Sequence, residues 1–163
     1  MKKKVFSTII LAGILSGCAA TSPTTSDNAP PMAPEDSRLT NCSLPTVDDR
    51  GPIRPSLYVI GTFPRGEWLH TDNHKMSHKG DGIYQVVSEE KAGNVSLQFA
   101  TMSWNPQFTV SGLKLPAGTV KELKRGGFAK DTVATLPEDG TYVWTAQFSD
   151  DKKPIKASVV KCE

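Results

Sequence analysis

Long apolar runs are missing from this sequence of 163 residues. The longest, residues 5–15, falls short of the about 20 apolar residues that a membrane-spanning helix needs. Helical periodicity is missing as well: no stretch repeats apolar residues at i, i+3, i+4 and i+7 over three turns. Gly-x-Ser-x-Gly is absent, so nothing marks a nucleophile elbow. A basic excess is absent in effect. The chain has 19 Lys and Arg against 17 Asp and Glu, and three of the basic residues are Lys2, Lys3 and Lys4 at the extreme N-terminus. Without them the balance turns slightly acidic, which gives no footing for a polyanion such as nucleic acid. Cysteine is scarce, with only three: Cys18, Cys42 and Cys162.

The N-terminus is what a targeting signal looks like. Lys2–Lys4 form a positive region, residues 5–15 an apolar one, and Leu15-Ser16-Gly17-Cys18 closes it. This resembles the lipobox of bacterial lipoproteins. The resemblance implies cleavage before Cys18 (signal peptide, residues 1–17), lipidation of Cys18 and a lipid-anchored protein, since two or more acyl chains hold a protein firmly to a bilayer. Ala19 in place of Asp resembles the sorting pattern of outer-membrane lipoproteins, which makes the outer membrane the expected location. Residues 18–41 are rich in Pro, Ser and Thr and poor in large apolar side chains. Such a segment buries too little surface to offset its ordering entropy, so it reads as a flexible tether.

With Cys18 lipidated, Cys42 and Cys162 are left as an even pair bracketing residues 42–163. In an oxidising compartment the expectation is a disulfide, against free thiols or a two-cysteine metal site. The roughly 120 residues between them suit one domain with one core. Short alternating or β-branched runs at 57–61, 74–77, 83–88, 95–100, 107–110, 119–123, 132–136, 141–148 and 155–161 read as strands, punctuated by Gly, Pro, Asn and Asp. Their spacing argues for an antiparallel sandwich. In residues 141–148 the alternation assigns Tyr142, Trp144, Ala146 and Phe148 to the core face.

Three segments carry a further resemblance: LYVIGTFPRGEW, HKMSHKGDGIYQV and VSLQFATMSWNP. Their ordered features are a strand from Leu57, Trp68, Met76, Gly80-Asp81-Gly82-Ile83-Tyr84, Phe99, Trp104 and Pro106. The series resembles the early-set immunoglobulin-like domains that bind α-glucans and precede the catalytic barrels of pullulanases, isoamylases and branching enzymes. The later PEDGTYVWTAQFSDD looks like the final strand of the pullulanase versions. The resemblance implies an all-β immunoglobulin-like sandwich and non-catalytic glycan binding. Two loops depart from the family pattern: Phe63–Trp68 is longer and lacks an Asn, and Asn105-Pro106 replaces an Asp-Pro with a spacer.

Indole suits a sugar because a pyranose has a face of C–H groups and a polar rim. A flat π face buries the former at little entropic cost. Trp68 and Trp104 lie in turn-rich segments rather than on alternating strands, so each can stack a sugar or pack as a lid. By the same resemblance Lys75, Lys79, Asn105 and Gln107 are candidate partners of sugar hydroxyls. His70, His74 and His78, spaced by four, would share one face of a helix as a zinc or copper site, but their segment is a poor helix. On a strand His74, Met76 and His78 would share a face with the histidines at a polar rim, so no metal or other cofactor is expected. Glu67, Asp72 and Asp81 do not make a convincing glycosidase pair, and Lys121, Lys124, Arg125 and Lys130 read as a solvated hairpin. The expected function is therefore a lipid-anchored, non-enzymatic glycan-binding sandwich. The alternative is an envelope scaffold that docks a protein partner.

Overall fold

A computed structural model describes residues 34–163. The signal segment, Cys18 and most of the expected tether lie outside the described residues. Among the described residues there are ten strands: β1 Leu57–Gly61, β2 Ser77–His78, β3 Ile83–Glu90, β4 Gly93–Thr101, β5 Gln107–Val110, β6 Lys114–Pro116, β7 Thr119–Arg125, β8 Thr132–Leu136, β9 Gly140–Phe148 and β10 Pro154–Lys161. Three short 3-10 segments accompany them, at Pro34–Arg38, Asp72–His74 and Ser111–Leu113. The chain is all-β, as the strand punctuation requires.

One sheet runs β2-β3-β9-β10-β7. In the other, β4 pairs with β1 on one side and with β5 and β8 on the other, with β6 beyond β8. Strand β7 serves both sheets. Thr119–Glu122 pair with β10, while Leu123–Arg125 pair with β5, so β7 turns the corner of the sandwich. Every pairing is antiparallel except β6 with β8. Strand β6 has no counterpart in the sequence reading, since three residues are too few to show alternation.

The core lies between the inward faces. Tyr142, Trp144, Ala146 and Phe148 of β9 meet Leu57 and Val59 of β1, Leu97 and Phe99 of β4 and Phe108 of β5. The alternation in β9 thus points the expected side chains inward. Trp144 is fully buried and donates its Nε1–H to Ser88 Oγ at 3.0 Å.

The opposite face of β9 is also buried, which the sequence did not suggest. Val143, Thr145, Gln85 and Ser158 are covered although three of them are polar. Their cover is the N-terminal segment. Gln85 Nε2 donates to the carbonyls of Asn41 at 3.0 Å and Arg38 at 3.4 Å, and Ser158 Oγ donates to Leu39 O at 2.7 Å. Leu39 is 1% exposed, Asp36 pairs with Lys156 at 2.6 Å, and Arg38 pairs with Asp81. Residues 36–41, placed in the tether by composition, thus lie on the sheet. One buried leucine and a row of satisfied carbonyls hold them, a pattern that composition averages away. Cys42 and Cys162 are disulfide-bonded with Cα atoms 5.9 Å apart, which fastens this segment to the end of β10.

The Gly-Asp-Gly turn has a steric cause. Gly80, Asp81 and Gly82 all have left-handed backbones, at φ 87, 49 and 67. A Cβ on Gly82 would lie 1.8 Å from Phe148 O, where β3 enters its pairing with β9. Only glycine meets both demands. The expected strand at 74–77 is instead a 3-10 turn, Asp72–His74, followed by the two-residue β2. Thr71, Asp72 and Asn73 favour the turn. His74 also leaves the strand line to meet Glu90 Oε1 at 3.0 Å, where Ser88 Oγ reaches the same carboxylate at 2.5 Å.

Candidate functional site

The outward face of β1 and β4 should be wet, yet it holds Tyr58, Ile60 and Ala100, all buried. Two loops cover it. One leaves β1 and carries Trp68; the other links β4 to β5 and carries Trp104. Both indoles lie half-buried against that apolar face. Their centroids are 6.4 Å apart and their planes meet at 38°. The two rings are tilted against each other rather than lying as a coplanar shelf.

Backbone strain places them. Trp68 has φ 55 and Trp104 φ 60, a region that bulky side chains rarely enter and that costs about 1–2 kcal/mol per residue. Hydrogen bonds hold the backbone there: Trp68 N–H donates to Gly61 O at 2.8 Å, and Trp104 N–H to Thr101 O at 2.8 Å. His70 stands edge-on to Tyr58 (5.1 Å) and to Trp104 (5.3 Å), with Nε2 3.1 Å from Thr101 O. Strain of this kind persists where surrounding structure over-determines it, and it clusters at functional sites. The Trp68 loop is braced from below, because buried Phe63 stacks on His74 at 3.9 Å, above the Glu90 and Ser88 contacts.

The indoles form one side of an open cavity of about 570 Å³, lined further by Gln98, Gln107, Phe128, Ala129 and Asp131. That volume lies within the roughly 300–1,000 Å³ of small-molecule sites. Gln98 is 3% exposed; its Nε2 donates to Asp131 Oδ1 at 2.7 Å, and its buried Oε1 has no partner among the described residues. Phe128 is 96% exposed on the loop between β7 and β8.

The structure therefore brings together Trp68, Trp104 and Gln107 of the residues expected from sequence. Asn105 adjoins Trp104, but its Oδ1 accepts from Arg125 at 3.3 Å and it does not line the cavity. Lys75 is exposed and lines a different depression, with Arg50, Arg54 and His78. Lys79 Nζ donates to Thr46 Oγ1 at 2.8 Å, and burial lowers its pKa. The three histidines occupy separate settings: His70 beside Trp104, His74 on Glu90, and His78 with Nδ1 2.8 Å from Asp49 O. Glu67 and Asp72 are exposed, and Asp81 is engaged by Arg38. Sequence reasoning missed Gln98, Phe128 and Asp131. The one available signal was Gly126-Gly127-Phe128, an aromatic standing outside any alternating run.

No protein-family model and no curated protein matches the chain. Among solved structures it is similar to one described as the ligand-induced structure of AmyP-SBD, a starch-binding domain. The two are 38% identical, the match covers 91% of this chain and 97% of that one, and the TM-score is 0.61.

Proposed function

The chain belongs to the same family as the AmyP starch-binding domain, and from that premise we propose that it is a non-catalytic α-glucan-binding protein whose platform is Trp68 and Trp104. The observation that carries the reading is the pair of adjacent indoles, each held in a strained left-handed backbone over an apolar floor. Stacking on a pyranose gives such strain a use that packing alone does not require. The tilt of the rings favours a curved chain over a flat one, which suits the helical course of α-glucans. Gln107 at the cavity wall supplies a carboxamide for the sugar rim.

Affinity electrophoresis of the protein in amylopectin gels tests this. Wild type is retarded, and Trp68→Gly and Trp104→Gly each migrate as in gels without glucan. Unretarded wild type across a panel of starch, glycogen and pullulan overturns the proposal.

We further propose that Cys18 is lipidated and that the domain works at the outer membrane, supported by the lipobox-like Leu15-Ser16-Gly17-Cys18 and by Ala19. Mass spectrometry of the expressed protein is expected to show an acylated N-terminal Cys18, and Cys18→Ser to release the protein from membranes. An intact, unmodified N-terminus would refute it.

A further inference from the structure

Besides the indoles, the cavity is lined by the loop between β7 and β8 and by Gln98 behind it. Phe128 exposes nearly its whole ring to water, an unfavourable setting for a large apolar side chain. It follows Gly126 and Gly127, and a Cβ added to Gly127 would meet nothing within 4 Å, so local crowding does not pin the loop there. Ala129, next in the chain, has φ 63. Behind this loop lies Gln98 on β4. Its amide nitrogen holds the loop through Asp131 Oδ1 at 2.7 Å and, more weakly, Gly127 O at 3.5 Å. Its carbonyl oxygen is buried and receives no donor from the described residues. A buried acceptor left unpaired is destabilising, and a native fold keeps one where something else supplies the donor.

Resting on the glucan-binding reading, we infer that the 126–131 loop is a ligand clamp. Phe128 closes on the sugar from the side opposite the indoles, and Gln98 Oε1 accepts a hydroxyl from it. The two roles are linked. Oε1 is out of reach of water as the loop sits, so a hydroxyl reaches it only when the loop that the same carboxamide holds gives way. Loop movement brings Phe128 onto the ligand and exposes Oε1 in one event. Asp131, freed from Gln98 in that movement, becomes a second hydroxyl acceptor. An apolar ring facing two indoles, with acceptors at the base, fits a polyhydroxylated ligand with apolar faces.

The test is titration calorimetry of the full-length protein with maltoheptaose, together with amide shifts of residues 126–131 by NMR. Phe128→Ala, which removes no buried contact, is expected to weaken binding by about fivefold to tenfold, the scale of one lost aromatic contact. Phe128→Tyr is expected to restore it. Gln98→Met and Gln98→Glu both lose the amide donor that holds Asp131, and only Glu keeps an acceptor, so Gln98→Met is expected to bind more weakly than Gln98→Glu. Phe128→Ala with Gln98→Met loses less than the product of the single effects, because both act through one movement. In wild type the loop amides shift on titration. Wild-type affinity in Phe128→Ala with unmoved loop amides overturns the clamp. Equal affinity in Gln98→Met and Gln98→Glu overturns the hydroxyl contact. In either case loss of binding in Trp104→Gly leaves the glucan reading standing, whereas absence of binding by wild type removes both.

Discussion

Replacing Trp104 by glycine and by alanine separates backbone strain from stacking. Both truncations lose the same packing on Ile60, Ala100 and Tyr58 and the same edge contact with His70, so these losses cancel in a comparison. What remains is the backbone at φ 60. Alanine there keeps a left-handed penalty of about 1–2 kcal/mol that glycine does not have. Glycine's greater unfolded-chain entropy offsets about 0.5–1 kcal/mol of this. The glycine variant should therefore be the more stable by up to about 1.5 kcal/mol, a shift of a few degrees in melting temperature for a domain of this size. That order is the reverse of the one found at an ordinary position. Both variants should lose binding together, since neither carries an indole. Thermal unfolding by circular dichroism and affinity electrophoresis on the same preparations read the two effects. Trp68, at φ 55, should repeat the pattern. An alanine variant more stable than the glycine variant would refute the strain argument. Retention of amylopectin binding by both would refute the platform.

The Cys42–Cys162 bond closes a loop of 120 residues, and the chain-entropy model assigns such a cross-link about 4–5 kcal/mol. The Cys42→Ser/Cys162→Ser double variant is expected to melt on the order of 15 °C lower, and a drop of only a few degrees would show that the packed segment 36–41 restrains the ends without the bond. Tyr84 accepts from Ile53 N–H at 2.8 Å and donates to Arg50 O at 2.9 Å. Burial raises its phenol pKa above the ordinary value of 10.0, with a nearby Asp49 adding to the shift and the Ile53 N–H and Arg54 opposing it. The folded chain thus holds this proton longer than the unfolded chain. The resulting stability is complete below pH 10 and is lost as pH rises through the folded value. Urea melts at pH 9 to 11.5 should show a steeper alkaline loss in wild type than in Tyr84→Phe. At neutral pH the variant should be weaker by about 1–3 kcal/mol, because the buried Ile53 N–H loses its acceptor. Parallel alkaline slopes would exclude Tyr84 as the source.

Most of the fold was legible because strand periodicity is local. Three expected strands, 57–61, 107–110 and 132–136, match their observed bounds, and the inward residues of β9 follow from parity alone. Where local chemistry competed, the reading slipped. His74 was drawn off its strand by Glu90, a partner 16 residues away, and Leu39 was hidden in a polar stretch whose carbonyls bond to residues over 40 positions distant. Of the site, Trp68 and Trp104 were legible because they stand in turn-rich segments at the two tryptophan positions of the α-glucan-binding pattern that the sequence resembles. Gln98 was not, since on β4 it reads as an ordinary outward polar residue.

By itself the sequence determined the all-β class, the parity of the core strands and the even cysteine pair, while its resemblance to α-glucan-binding domains singled out the two indoles. These depend on neighbours within a few positions, so the order of residues encodes them directly. Only the tertiary structure decided that the indoles stand 6.4 Å apart, that Phe128 and Gln98 share their cavity, and that Lys75 does not. Those relations are set by the pairing of β1 with β4 and by the turning of β7 between the sheets. They bring together residues dozens of positions apart whose side chains show no pattern until the backbone has closed around them.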